Sequence, residues 1–156
     1  MNIILASQSE RRKQLLKKII PEFDIVIPEV EETVDGNSPE TIAMENAKKK
    51  AINVAEKINN KNCVIISADT IVVVKQRILG KPANRDIARQ YLLLLSGTTH
   101  RVITGICLFN PYENKMLADF DVTFVSFKTL TKQQIDSFLD KQTFYDKAGG
   151  YAIQQI

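Results

Sequence analysis

The sequence lacks any long apolar run. No apolar stretch approaches the roughly 18–20 residues that a membrane-spanning helix needs. The N-terminal stretch MNIILASQSERR places its charges after its apolar residues, which is the reverse of the order in a secretory signal peptide. We therefore predict a cytoplasmic protein with no membrane partner.

Cysteine and histidine are also scarce, with two cysteines and one histidine among 156 residues. Cys63 and Cys107 lie in apolar, strand-like stretches without a CxxC spacing. That pattern is typical of buried free thiols and disfavours a disulfide framework or a zinc site. His100 begins a predicted strand, which favours a structural role, and a Ser-His-Asp triad would need His100 as its base.

The charge balance is mild, with a net charge of +3 and a pI near 8.8. The basic residues form no zinc-finger, basic-zipper or RNA-recognition pattern, so we expect no nucleic-acid partner. The chain is 44% apolar and 25% charged, which is ordinary for a globular protein. Its length predicts a single domain, 1–156, with one core.

Strand-like and helix-like segments alternate in the first half of the chain, and a hairpin follows. This order predicts an α/β fold with a mixed twisted sheet flanked by helices. The predicted strands are Asn2–Ala6, Phe23–Ile27, Cys63–Ala68, Ile71–Lys75, Arg101–Phe109, Met116–Phe127 and Tyr151–Gln154. The predicted helices are Glu10–Ile20, Pro39–Ile58 with Ser38 as its cap, Asn84–Leu95 and Thr131–Lys141.

The first chemical motif is the stretch Ala6-Ser7-Gln8-Ser9-Glu10-Arg11-Arg12. A strand ends here, small hydroxyl residues turn the chain, and a helix begins with two arginines. A helix N-terminus receives anions, and arginine binds phosphate oxygens in a bidentate manner. The residues alone leave open whether this is an anion site or a capped helix with exposed arginines.

The second motif is Asp69-Thr70, which interrupts an apolar run. A carboxylate at the end of a buried strand has to be hydrogen-bonded, paired or metal-bound. Mg²⁺ and Mn²⁺ suit such a site, since they take one or two carboxylates together with substrate phosphate. The acidic loop Glu29–Glu32 could supply a second carboxylate. The alternative is that Asp69 is a turn residue between two hairpin strands.

Two further stretches carry weaker signals. Leu79-Gly80-Lys81-Pro82 lacks the pattern of a P-loop, but its lysine, held between glycine and proline, can present a fixed charge. Asp146–Gln154 contains two glycines, which permit close backbone approach to a ligand or a tight bend. Gln154 could hydrogen-bond a base edge there, and a turn followed by an edge strand is the alternative.

Taken in order, these motifs resemble the Maf family of nucleoside triphosphate pyrophosphatases, first known as septum-formation inhibitors. The resemblance extends over essentially the whole chain. The matching blocks are Leu5-Ala6-Ser7-x-Ser9-x-Arg11-Arg12, Ala47-x-x-Lys50-Ala51, Ala68-Asp69-Thr70-x-Val72, Gly80-Lys81-Pro82, Ser96-Gly97-x-x-His100-x-Val102-x-Thr104-Gly105 and Asp146-Lys147-Ala148-Gly149-Gly150-Tyr151-x-Ile153-Gln154.

The resemblance implies hydrolysis of a nucleoside triphosphate to the monophosphate and pyrophosphate, with a divalent metal, Mg²⁺ or Mn²⁺. It also implies a fold similar to the inosine triphosphatase group. The paired arginines together with Asp69-Thr70 resemble the branch that acts on dTTP and UTP. Asp69 is the implied proton acceptor, and Asp69 and Glu32 are the implied metal ligands. The implied substrate-binding residues are Ser7, Arg11, Arg12, Lys50, Thr70, Lys81 and Gln154, of which Arg12, Thr70 and Gln154 resemble specificity positions.

Two other functions remain open at the level of sequence. One is a sister specificity, for 7-methyl-GTP or an inosine-type nucleotide, and the other is a nucleotide-binding regulator that has lost catalysis. The resemblance also implies that the C-terminal segment usual in the family is missing. If the chain ends this early, we expect an exposed apolar sheet edge that leaves the protein unstable or dependent on a homodimer.

Overall fold

The computed structural model describes residues 1–34, 36, 38–141 and 143–153. Within this part of the chain, strands and helices alternate up to a long hairpin, apart from one pair of consecutive strands. The strands are β1 (Asn2–Ala6), β2 (Asp24–Ile25), β3 (Cys63–Val74), β4 (Arg77–Leu79), β5 (Thr99–Asn110) and β6 (Lys115–Ser126). The helices are α1 (Glu10–Lys17), α2 (Pro39–Lys57), α3 (Arg85–Leu95) and α4 (Lys132–Asp140), followed by a 3₁₀ turn at Ala148–Gly150.

The strands form one sheet in the order β2-β1-β3-β5-β6, and β4 pairs with β3. β1 runs parallel to both β2 and β3, whereas β4 is antiparallel to β3. Ala6, the last residue of β1, lies opposite Ser67 of β3. The predicted mixed α/β sheet is therefore confirmed.

The strand β3 corrects one prediction. The expected break at Asp69-Thr70 is wrong, because the strand continues through both residues over its 12-residue length. Asp69 is therefore neither a strand end nor a turn residue. Side chains alternate along a strand, and Asp69 falls in the same buried row as Ile65 and Ser67. A carboxylate is tolerated in this row because it has hydrogen-bonding partners.

The helix α2 begins as the sequence predicts. Ser38 caps it by accepting a hydrogen bond from the backbone N–H of Thr41, 3.3 Å away, and Pro39 occupies the first turn. Four of the eight buried residues of α2 are alanines, whose small side chains let a helix approach a sheet closely. Where β5 meets this helix, a Cβ added to Gly105 would lie 2.4 Å from the carbonyl carbon of Ala43.

The chain divides into two compact units. The first comprises residues 1–69 and 104–121, and the second comprises residues 70–103 and the chain from residue 122 onward. Each unit has its own apolar core. The core of the first unit contains Ile4, Ala47, Ala51, Val54, Ile65 and Cys107. In the second unit, one cluster contains Val72, Val74, Leu79, Leu95 and Tyr151, and another contains Ala88, Leu92, Ile135, Leu139 and Phe144.

The second unit holds the single histidine in an aromatic cluster. The ring of His100 is buried against Phe127 and Tyr151, and its Nε2 hydrogen-bonds the Tyr151 hydroxyl. Burial lowers the pKa of His100 and raises the pKa of Tyr151 to about 12. These contacts support the structural role that the sequence favours for His100.

The predicted last strand, Tyr151–Gln154, is wrong over its described residues. Ala148–Gly150 forms a 3₁₀ turn, and Tyr151 leaves it in extended backbone without pairing in a strand. Gly149 has a φ of 70°, a conformation that glycine adopts without a steric penalty. Gln154 lies outside the described residues.

The bounds of two predicted elements need adjustment, and the prediction for the cysteines is confirmed. The first helix ends at Lys17, three residues short of the predicted end at Ile20, and the second strand shortens to Asp24–Ile25. Both cysteines are buried free thiols, as predicted, and burial raises the pKa of each. In the described residues, no helix combines the length and apolar character needed to cross a membrane.

Candidate active site

A buried ion pair lies within the first unit. The Lys50 ammonium Nζ is 2.6 Å from Oδ1 of Asp69, and the two residues are 7% and 3% exposed. Lys50 comes from the buried face of α2, and Asp69 from the row of β3 that faces the same core. A charge this deeply buried requires a partner of opposite sign, which each residue supplies to the other.

The same lysine binds a second carboxylate. Its Nζ lies 2.8 Å from Oε1 of Glu32, whose side chain is 34% exposed. Glu32 belongs to the acidic loop that precedes α2. Lys50 therefore bridges two acids from separate parts of the sequence, and the structure brings together three of the predicted site residues.

Asn46 completes the set of donors to Asp69. Its side-chain Nδ2 donates to Oδ2 of Asp69 at 3.0 Å and to the backbone carbonyl of Thr33 at 2.9 Å. Its Oδ1 accepts from the backbone N–H of Thr33 at 2.9 Å. We name the four residues Glu32, Asn46, Lys50 and Asp69 the Lys50 cluster.

Arg12, which belongs to α1, lies beside the Lys50 cluster. Its Nη1 donates to the backbone carbonyl of Ala68 at 2.7 Å, and the Lys50 ammonium approaches the same oxygen at 3.5 Å. Burial lowers the pKa of the Arg12 guanidinium, and the negative charges of Asp69 and Glu32 oppose this change. Arg12 is thus in the electrostatic field of both acids, whereas Arg11 is exposed.

Two serines shape the backbone around this site. Ser7 follows β1 directly and is buried, and its Oγ accepts a hydrogen bond from the backbone N–H of Ser9 at 3.1 Å. This bond turns the chain from β1 into α1 and so delivers Arg12. Ser67 donates from its Oγ to the carbonyl of Ala47 at 2.6 Å, which ties α2 to β3 beside the ion pair.

Thr70 and Lys81 belong to the second unit. The segment Gly80-Lys81-Pro82 lies against the 3₁₀ turn Ala148–Gly150 of the same unit, because the N–H of Gly149 donates to the carbonyl of Gly80 at 3.0 Å. Two motifs that the sequence analysis singled out separately therefore meet. The Lys81 side chain is exposed.

The donor chemistry of the cluster fits a metal ion that is shared with a phosphate. Among the residues that the structure describes, no group of three or more His, Cys, Asp or Glu side chains is placed to hold a metal. Asp69 and Glu32 are the two carboxylates that converge, each on the Lys50 ammonium. Mg²⁺ commonly takes one or two carboxylates and completes its shell with water and substrate phosphate.

Sequence reasoning missed Asn46. A signal was present, because Asn46 and Lys50 are four residues apart on a helix face that is otherwise apolar. A polar side chain on such a face must find partners. The Ala68 carbonyl, which accepts from both Arg12 and Lys50, has no sequence signal because it is a backbone group.

Comparison with solved structures defines the class of fold. The structure of the Staphylococcus aureus Ham1 protein superimposes with a TM-score of 0.57 at 16% sequence identity, covering 91% of this chain and 100% of that one. At this level of identity the likeness concerns the fold alone. The predicted fold class is confirmed.

The family profile described as "Maf-like protein" matches residues 2–156, and the chain belongs to this family. A curated relative from Clostridioides difficile, named dTTP/UTP pyrophosphatase, is 44% identical over 155 residues, which is 99% of this chain and 79% of the relative. A protein of the same name from Bacillus cereus is 46% identical over 153 residues, covering 97% of this chain and 78% of that protein.

Proposed function

We propose that this protein hydrolyses dTTP, UTP and related pyrimidine nucleoside triphosphates to the monophosphate and pyrophosphate. Its membership of the Maf family and its similarity to relatives named dTTP/UTP pyrophosphatase support the reaction. The observation that carries the proposal within the structure is the buried pair of Lys50 and Asp69, with Glu32 and Arg12 beside it.

In the proposed reaction, a water molecule attacks the α-phosphorus and the bond from that phosphorus to the α,β-bridging oxygen breaks. Pyrophosphate leaves with the bridging oxygen, and Asp69 accepts the proton of the attacking water. Phosphoryl transfer depends mainly on positioning and charge stabilisation. The two donors on the Asp69 carboxylate, from Lys50 and Asn46, supply the positioning.

The charges of the site explain why further cations are required. The positive charges of Lys50 and Arg12 are balanced by the negative charges of Asp69 and Glu32. These four residues therefore have no net positive charge with which to neutralise a triphosphate. Arg11 and Lys81 are the proposed additional protein cations. A divalent metal, Mg²⁺ or Mn²⁺, would be held by Asp69 and Glu32. When bound, such an ion offsets phosphate charge and makes a coordinated water more acidic.

The remaining assignments are proposals that derive from the family resemblance. Arg12, Thr70 and Gln154 would select the nucleotide, and Ser7 would contact the substrate at the turn before α1. For Arg12, the hydrogen bond to the Ala68 carbonyl supports a role in nucleotide selection, because it holds the guanidinium in a fixed place. A cytoplasmic location, a homodimer and the absence of a nucleic-acid partner stay predictions.

The test is a pyrophosphate-release assay with a panel of nucleotides. We expect release from dTTP and UTP with Mg²⁺ or Mn²⁺, and none after a chelator removes the metal. Release from 7-methyl-GTP or ITP alone would contradict the pyrimidine specificity and favour a sister specificity. Nucleotide binding measured by calorimetry without any turnover would contradict the enzyme and favour a regulator.

A further inference from the structure

We propose that Asn46 is a positioning residue, which holds the Asp69 carboxylate and the Glu32 loop in a fixed relation. This inference rests on the proposed function, because it assigns Asn46 to the same reaction. Asn46 would not touch the substrate. It would act through Asp69 on one side and through Thr33, the neighbour of Glu32, on the other.

The hydrogen bonds of Asn46 fix its side chain in one orientation. The N–H of Thr33 can only donate, so the atom that faces it must be the amide oxygen. The amide nitrogen then faces the Thr33 carbonyl and Asp69, and both of its protons are used. The residue is 1% exposed, so water does not compete for these groups.

Two donors on different oxygens restrict the Asp69 carboxylate more than one donor does. Lys50 binds Oδ1, and its ammonium is a point charge about which the carboxylate could rotate. Asn46 binds Oδ2 at 3.0 Å and so fixes the plane of the carboxylate. A proton acceptor must be held in the orientation that the attacking water requires, since small misplacements are costly to rate.

The helix that supplies these donors is itself locked. Asn46 and Lys50 are one turn apart on α2, so they face the same side. The Ser67 hydroxyl binds the carbonyl of Ala47 between them, and Gly105 lets β5 approach the helix backbone. The donors are therefore carried by a rigid element rather than by a loop.

The simpler alternative is that Asn46 only tethers the acidic loop. The same helix offers a matched control for this role, because Oδ1 of Asn53 accepts from the backbone N–H of Glu29 at 2.9 Å. Asn53 lies seven residues further along α2 and tethers the same loop. Its hydrogen bond is exposed, and it joins the loop at Glu29 rather than beside Glu32.

The first experiment compares Asn46→Ala with Asn53→Ala in the pyrophosphate-release assay. We expect Asn46→Ala to lower kcat by about 10–100-fold while KM changes by less than about threefold. Losses of this size are typical when a residue that orients a metal-ligating side chain, here Asp69, is removed. We expect Asn53→Ala to keep kcat within about twofold. Circular dichroism and thermal melting establish that each variant is folded. Equal kcat for Asn46→Ala and the wild type would overturn the proposal.

A nearly isosteric variant covers the case in which Asn46→Ala fails to fold. Asn46→Asp keeps an acceptor for the N–H of Thr33, has no donor for Asp69 or for the Thr33 carbonyl, and places a second carboxylate beside Asp69. The proposal predicts a loss of kcat at least as large as that of Asn46→Ala. A tether role predicts a smaller loss, because one of the two hydrogen bonds to the loop persists, and that result would contradict the proposal.

A double-mutant cycle with Asp69→Asn distinguishes an effect of Asn46 through Asp69 from a loss of activity that is independent of Asp69. If Asn46 acts through Asp69, Asn46→Ala should lower the residual kcat of Asp69→Asn by less than about threefold. A full additional loss of 10-fold or more, as expected of independent roles, would overturn the proposal. An inactive wild type would refute the proposed function itself, whereas an active wild type with an unaffected Asn46→Ala would refute this inference alone.

Discussion

Replacement of Lys50 by methionine tests how the two buried acids are balanced. Methionine is unbranched and close in volume to lysine, so Lys50→Met removes the charge and leaves most of the packing. Asp69 would then be a buried carboxylate without its ion pair, retaining the hydrogen bond from Asn46. The variant should be both less stable and inactive, because the residue lies in the proposed site.

The burial of each partner sets the expected magnitude. The side chains of Lys50 and Asp69 are 9% and 4% exposed, and removing one partner from a pair this buried costs about 3–5 kcal/mol. The pair with Glu32 contributes less, because the Glu32 side chain is 34% exposed and pairs near the surface are worth about 0–1 kcal/mol. With a urea m value of about 2 kcal/mol/M, the urea midpoint should fall by about 1.5–2.5 M.

Urea unfolding, followed by circular dichroism, measures this change. Lys48→Met is the matched control, because Lys48 pairs with Glu45 on the same helix at 2.7 Å and both side chains are at least one-third exposed. It should change stability by less than about 0.5 kcal/mol. The double variant Lys50→Met/Asp69→Asn should regain a large part of the lost stability, because the unpaired charge is gone. A free energy of unfolding for Lys50→Met within 1 kcal/mol of the wild type would contradict a stabilising role of the buried pair.

Two further predictions concern the scaffold. Gly105→Ala should lower the free energy of unfolding by about 1–3 kcal/mol and lower activity, because the added Cβ would meet the Ala43 backbone and displace α2. Gly80→Ala is the control, because a Cβ there finds open space, and it should change the free energy of unfolding by less than about 0.5 kcal/mol. Thermal melting compares the two, and equal effects would contradict the close approach. Asn-Gly in place of Lys75-Gln76, whose φ values are 46° and 65°, should raise stability by up to about 1 kcal/mol, because both residues occupy the left-handed region. An unchanged or lower melting temperature would argue against that strain.

Much of the fold follows from signals that are local in sequence. The start of α2 is predictable because Ser38 and Pro39 form a cap and a first turn, and both do so in the structure. The end of β3 is not predictable in this way. Polar residues at Asp69 and Thr70 indicate a break, but the partners that make a buried Asp69 tolerable lie on α2, 19 and 23 residues earlier.

Short elements are also difficult to predict from the sequence, because their partners are not local. The strand Arg77–Leu79 has only three residues. The turn before it, Lys75-Gln76, contains no glycine or asparagine that would predict a hairpin. The predicted strand after Gly150 is instead unpaired extended backbone. A strand requires a neighbour with free backbone groups, and the residues of the segment do not reveal whether one is available.

The site was predictable to the extent that charged residues break an apolar pattern. Asp69 stands out within its strand, whereas Lys50 ends a run of three lysines and is assigned through the family resemblance alone. The structure brings the two residues together. Asn46 and the Ala68 carbonyl were not found, because a neutral amide and a backbone group produce no comparable contrast. What the sequence leaves out is the network that orients the charged groups.

The role of Asp69 as the proton acceptor is tested most directly by the rate of pyrophosphate release from saturating UTP, compared between Asp69→Asn and the wild type. The change preserves shape and removes the negative charge on which Lys50 and Asn46 converge. Asp121→Asn, at an exposed strand carboxylate, is the control. We expect kcat to fall by about 100-fold or more for Asp69→Asn and to be unchanged for the control. A kcat within a few-fold of the wild type would show that Asp69 is not the proton acceptor.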